Sequence, residues 1–141
     1  MVRVNIINPK YLADQHLRAE YLEIIMLVTY VRKHPEIKKE LPKKYCLGTG
    51  HILFFKNKLK YLKKRHEQLK KEMLKRGFKA NKTINVSGLP KQLQKDWRPT
   101  AADKEIIKKR LIARISLKPS FYNYYKKKYP KDFLVNLVKK A

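Results

Sequence analysis

Apolar positions recur at helical spacing in three stretches of this chain. In the first, Leu17, Tyr21, Ile24, Val28 and Val31 follow alternating steps of four and three, one stripe of an amphipathic helix. Asn8-Pro9 pairs a capping side chain with a residue pre-set for a first helical turn, which predicts the start of that helix, and His34-Pro35 predicts its stop. An irregular basic connection through Leu41-Pro42 reaches Gly48-Thr49-Gly50. Beyond it Ile52, Phe55, Leu59, Leu62, Leu69 and Met73, with His66 in the remaining slot, predict one continuous helix that ends at Gly77. Residues 79–99 hold Gly88, Pro90 and Pro99 and read as a long loop with a short helical turn around Leu89 to Lys95. Thr100 and Asp103 form a capping arrangement for a third helix whose buried face is Ile106, Ile107, Leu111 and Ile115. A tail opens at Lys118-Pro119 and carries Phe121, Tyr122, Tyr124, Tyr125 and Tyr129 among lysines, then a short apolar piece from Phe133 to Val138 after Pro130. No segment alternates as a strand does. The expected fold is all-α: a single compact domain of about three main helices with long basic loops and an aromatic, lysine-rich C-terminal tail.

Composition supports a folded chain. Leu, Ile, Val and Phe supply 40 of the 141 residues, more than the roughly 20% below which high charge implies disorder. Against 36 Lys and Arg stand 11 Asp and Glu, a net charge of +25, and that excess favours a polyanionic partner because lysines near phosphates release condensed counterions. The basic residues are spread over several elements instead of one amphipathic helix, so nucleic acid is expected and a membrane surface is not. One cysteine, Cys46, excludes an internal disulfide framework, and four scattered histidines offer no metal-ligand spacing, so neither a metal nor another cofactor is expected. The first dozen residues lack the apolar run of a signal peptide, and the chain reads as soluble and cytoplasmic. Lysine richness with few Gln fits a thermophile, as it also fits an AT-rich genome.

Three groups of residues could carry chemistry. His16, Glu20 and Glu23 share one helical face at i, i+4 and i+7, which is either an acid/base centre or a solvated polar face. The tail combines rings with ammonium groups, as opened nucleic acid requires, although the same rings could instead close the core. The lysines of the second helix (Lys56, Lys60, Lys63, Lys64, Lys70 and Lys71) read as a solvated face that adds affinity through charge, while His51 and His66 read as structural.

Arg3-Val4-Asn5, then Leu12-Ala13-Asp14-Gln15-His16-Leu17, Ala19-Glu20-Tyr21 and Glu23, resemble the N-terminal signature of the phage-type pyrimidine-dimer DNA glycosylases, the endonuclease V excision-repair family. The likeness continues through Val31-Arg32-Lys33-His34, Leu47-Gly48-Thr49-Gly50-His51 with Phe54-Phe55, and Leu74-Lys75-Arg76-Gly77-Phe78, and ends with Lys118-Pro119-Ser120-Phe121-Tyr122-Asn123-Tyr124-Tyr125. It implies an all-α domain over residues 1–125, followed by a basic extension over 126–141. It also implies excision of pyrimidine dimers with abasic-site lyase activity on damaged double-stranded DNA, by a monomer that needs no cofactor. The implied nucleophile is the α-amine of Val2, exposed once Met1 is removed, with Glu23 assisting ring opening and proton transfer. An α-amine has an ordinary pKa of about 8, so a useful neutral fraction exists near pH 7. Arg3 and His16 match positions used around the phosphates and the abasic sugar. Arg110, Arg114, Lys118, Tyr122, Tyr125, Lys126 and Lys127 complete the expected nucleic-acid-binding set. The likeness departs at Leu22 and Met26, where the family carries arginines. That departure and the lysine excess leave a second reading, a non-catalytic protein on the same scaffold that binds structured RNA or the ribosome.

Overall fold

Helix α1, Asp14–Lys33, lies with one face inward, burying Leu17, Tyr21, Ile24, Leu27, Val28 and Val31. The computed structural model describes residues 3–141. Against α1 packs α3, Leu59–Lys75, through Leu59, Leu62, Leu69 and Met73, with the His66 ring stacked on Tyr21 at 4.6 Å. Helix α4, Ala101–Leu117, begins at a capping box formed by Thr100 and Asp103, as the spacing predicts, and packs Ile107, Leu111 and Ile115 inward. Helix α5, Lys131–Lys140, lies on α4 and buries Leu134, Val135 and Val138. Among the described residues the chain is all-α apart from one small hairpin in the tail and an isolated bridge between Lys58 and Gln94.

Three elements differ from the sequence reading, each for a local reason. The start predicted at Asn8-Pro9 is a single 3-10 turn, Pro9–Tyr11, in which the Asn8 side chain accepts the Lys10 N–H, and α1 begins only at Asp14. The continuous second helix is two: α2, His51–Phe55, and α3 are separated at Lys56 to Lys58. There the backbone of Asn57 accepts from Lys95, and Tyr61 donates to Lys95, so the break docks the loop that carries Leu93 and Trp97. Leu93 becomes fully buried, and Trp97 closes an aromatic cluster with Tyr45, Phe54, Phe55 and Tyr61. Lys56, read as part of a solvated face, is buried and donates to the Glu36 carbonyl. The third difference is the hairpin of β1, Asn123–Tyr124, and β2, Lys127–Lys128. Its two-residue turn places Tyr125 and Lys126 at φ +51° and +66°, a geometry that normally selects Gly or Asn. The Asp14 carboxylate accepts both turn N–H groups, at 3.1 and 2.7 Å, and so stabilises the turn without a glycine.

Two buried arginines tie these elements together. Arg65 donates to both Glu20 oxygens, at 2.7 and 3.0 Å, and to the Ile7 carbonyl. Arg76 pairs with Asp14 and Glu72 at 2.9 and 2.8 Å, donates to the Leu12 and Pro9 carbonyls, and lies against the rings of Tyr124 and Tyr125. Glu20, one of three residues grouped on the first helix as candidate chemistry, is therefore a structural counter-ion with no exposure.

Candidate active site

A cleft of about 510 Å³ opens between the amino-terminal segment, α1 and α4. The segment is held in place by its neighbours, with a tight turn at Ile6 where the Ile7 N–H donates to the Asn5 carbonyl. Val4 N–H donates to His51 Nε2 at 2.9 Å, which leaves His51 Nδ1 to donate to the Cys46 carbonyl at 2.8 Å. The Tyr45 hydroxyl donates to the Val4 carbonyl at 3.0 Å. Ile6 sits at φ +43°, a conformation that costs a β-branched residue about 1–3 kcal/mol and persists only where its surroundings fix it. Val4, Ile6 and Ile7 are buried, and the Arg65 bond to Ile7 secures the far end.

This segment brings Arg3 to the α1 face that carries Gln15, His16, Arg18, Ala19, Leu22 and Glu23. The Arg3 N–H donates to Glu23 Oε1 at 3.1 Å. Burial pushes the Glu23 carboxyl above the ordinary range, an effect that the Arg3 N–H bond and guanidinium offset only in part. Burial, then the charges of Arg114 and Arg110, push His16 down to about 4, so its ring is neutral near pH 7. The ring lies 4.7 Å from that of Tyr122, and its Nδ1 is buried without a hydrogen-bond partner among the described residues. Arg110 and Arg114 face α1 from α4, and the turn Pro119–Phe121 delivers Phe121 and Tyr122 to the mouth. Tyr122 is nearly buried, whereas Phe121 is exposed. Among the described lining residues Glu23 is the only carboxylate, set among Arg3, Arg18, Arg110 and Arg114.

Arg3, His16, Glu23, Arg110, Arg114 and Tyr122 thus meet in one cleft, although they come from the amino-terminal segment, α1, α4 and the tail. Val2 lies outside the described residues. Tyr125 is directed elsewhere: its hydroxyl donates to Glu72 at 3.0 Å. Lys126 reaches the Gly77 carbonyl at 3.0 Å, while Lys118 and Lys127 are exposed away from the cleft lining. Gln15 and Arg18 also line the cleft; the sequence does not mark them for it, although extending the His16–Glu23 face to either side reaches them. Leu22, which stands where the family carries an arginine, and Phe121, one of the tail rings expected to stack on bases, line it as well.

The cleft can hold a polyanion and perform proton transfer at one carboxyl. Among the described residues no group of three His, Cys, Asp or Glu is placed to hold a metal ion, and no helix is long and apolar enough to cross a membrane. A family model described as pyrimidine dimer DNA glycosylase matches residues 1–86, the span that contributes Arg3, His16 and Glu23, together with the His51 anchor. With the match covering more than half of its length, the chain belongs to the pyrimidine dimer DNA glycosylase family.

Proposed function

We propose that this protein excises pyrimidine dimers from duplex DNA and then cleaves the abasic strand, with the α-amine of Val2 as nucleophile and Glu23 as the acid/base group. The observation that carries the reading is the bond from the Arg3 N–H to Glu23, because Val2 is one peptide unit upstream of that N–H. The neutral amine attacks the anomeric carbon, and the glycosidic bond breaks with its electron pair leaving on the pyrimidine. As the sugar ring opens, its oxygen takes up a proton and the amine loses one, giving an imine. A carboxylate then removes a proton from the adjacent sugar carbon, and the electron pair expels the 3′ phosphate.

Raising the carboxyl by burial makes it a stronger proton acceptor than an exposed one, which suits a group that must both take and give a proton. Arg3, Arg110 and Arg114 supply charge for the flanking phosphates. The neutral His16 ring, braced by Tyr122, offers a hydrogen bond to a sugar oxygen without adding charge beside the amine.

Borohydride reduces an imine to a stable amine, so it should trap the protein on abasic-site DNA, with the adduct mapping to the Val2 amine of chains lacking Met1. Glu23→Gln should fold, bind DNA at least as well as wild type, and nick at least about 100-fold more slowly. An adduct found on lysines only, or equal nicking by Glu23→Gln, rejects the mechanism. Structured RNA serves as the competitor: preference for it, without cleavage, supports the non-catalytic reading.

A further inference from the structure

Arg18, Leu22, Met26 and Tyr30 succeed one another at four-residue steps, so they form one row along α1. Most of the large apolar side chains of this helix point inward; Leu17, Ile24, Leu27 and Val31 are fully buried. The row is the exception. Leu22 is 48% exposed, Met26 61% and Tyr30 40%. Leu22 also lines the cleft, one residue from Glu23, so the apolar row starts inside the cationic site and continues outward from it.

An occupant of this row must present flat apolar faces and carry negative charge, because the groups beside Leu22 are Arg3, Arg18, Arg110 and Arg114. A nucleobase on its phosphate backbone has both properties. We infer that Leu22 and Met26 form a wedge that binds nucleobases, entering the duplex beside the lesion and occupying the stack where a nucleotide is withdrawn. Leu and Met are among the side chains that serve this purpose in DNA-bending proteins, since they replace lost stacking contacts without requiring a hydrogen-bond partner. Withdrawing a nucleotide leaves its neighbours unstacked, and the cost is least where damage has already weakened the stack. A wedge therefore strengthens binding to damaged DNA selectively. This inference rests on the proposed function and specifies how the same site selects its substrate.

Phosphate contacts and apolar contacts respond differently to salt, and this separates a wedge from another cationic contact. The probes are two duplexes: one with a tetrahydrofuran abasic analogue opposite 2-aminopurine, and its intact counterpart. For the pair Leu22→Ala and Met26→Ala in the full chain, affinity for the abasic duplex should fall at least tenfold. The log–log salt slope should stay unchanged, affinity for the intact duplex should change little, and the protein-induced change in 2-aminopurine emission should shrink. Exchanging the two side chains, Leu22→Met with Met26→Leu, should restore all of these. Arg114→Ala should instead weaken both duplexes and make the slope shallower. Thermal melts of each variant confirm that the fold is intact.

Wild-type affinity in the double Ala variant, an equal loss on both duplexes, a shallower slope, or a loss confined to structured RNA would each overturn the wedge. Failure of the enzyme reading has a separate signature, a wild-type protein that neither nicks nor forms the borohydride adduct.

Discussion

His51 anchors the amino-terminal segment through a bond that only a neutral imidazole can make, because Nε2 must accept the Val4 N–H. Burial pushes His51 down to about 4, and His16 is lowered to the same level. In the unfolded chain both take up protons near their ordinary value of 6.5, so the folded state is favoured fully above that pH and loses the advantage as pH falls toward 4. For the fully buried His51 this corresponds to about 3 kcal/mol. The Tm of wild type should fall over that window, and His51→Asn, less stable at pH 7, should lose less between pH 6.5 and 4. Parallel Tm–pH curves would show that the ring does not titrate as described. At this scale the sequence carried part of the answer. The helical period placed His16 and Glu23 on one face with Glu20, but period alone cannot reveal that Glu20 lies on the side where Arg65, 45 residues away, is waiting for it. Burial depends on which side of α1 meets α3, a tertiary fact.

Elements that look independent in the sequence are joined at Asp14. Its carboxylate accepts from Arg76 near the end of α3 and from both turn N–H groups of the tail hairpin. Removing one partner of a buried ion pair typically costs about 3–5 kcal/mol, because the other charge is left behind. Glu72 still faces Arg76, so Asp14→Ala should cost about 3 kcal/mol, with amide exchange accelerated most at Tyr125 and Lys126. Uniform acceleration across α3 and the hairpin would argue against a local role. The helices themselves were legible, since the apolar period marks α1, α3 and α4, with stop signals at His34-Pro35 and Gly77 for the first two and the Thr100–Asp103 capping box for the third. The break between α2 and α3 was not, because the apolar spacing runs on through it while backbone bonds from the distant Lys95 decide it. The hairpin was hidden for a related reason: a carboxylate from α1 replaces the glycine that normally announces such a turn.

Across the whole molecule, burial leaves the charge excess on the surface. Asp14, Glu20 and Glu72 are buried together with Arg65, Arg76 and Lys56, so the other 33 basic and 8 acidic residues carry the whole +25. Duplex binding should therefore be strongly salt-dependent. Engagement of four phosphates by Arg3, Arg18, Arg110 and Arg114 alone gives a log–log slope of about −4, and the α3 lysines can only steepen it. Damaged duplex should keep its advantage over intact duplex at each salt concentration; a slope shallower than about −2 would mean that the cleft does not grip the backbone. The net charge and the all-α class were legible from composition and period. The cleft was not, since Arg110 and Arg114 come to line the same cleft as Glu23 only through the tertiary fold, 87 and 91 residues further along the chain.

The anchored amino-terminal segment also constrains how the protein can be handled. With Val4 held at both its N–H and its carbonyl, and the Arg3 N–H bonded to Glu23, the chain is fixed at the cleft wall as far as Arg3. A purification tag or fluorophore joined at the amino end would begin within two residues of that wall and should be expected to compete with the substrate. The carboxyl end offers a better attachment point, because Lys139 and Lys140 close α5 as exposed residues and neither lines the cleft.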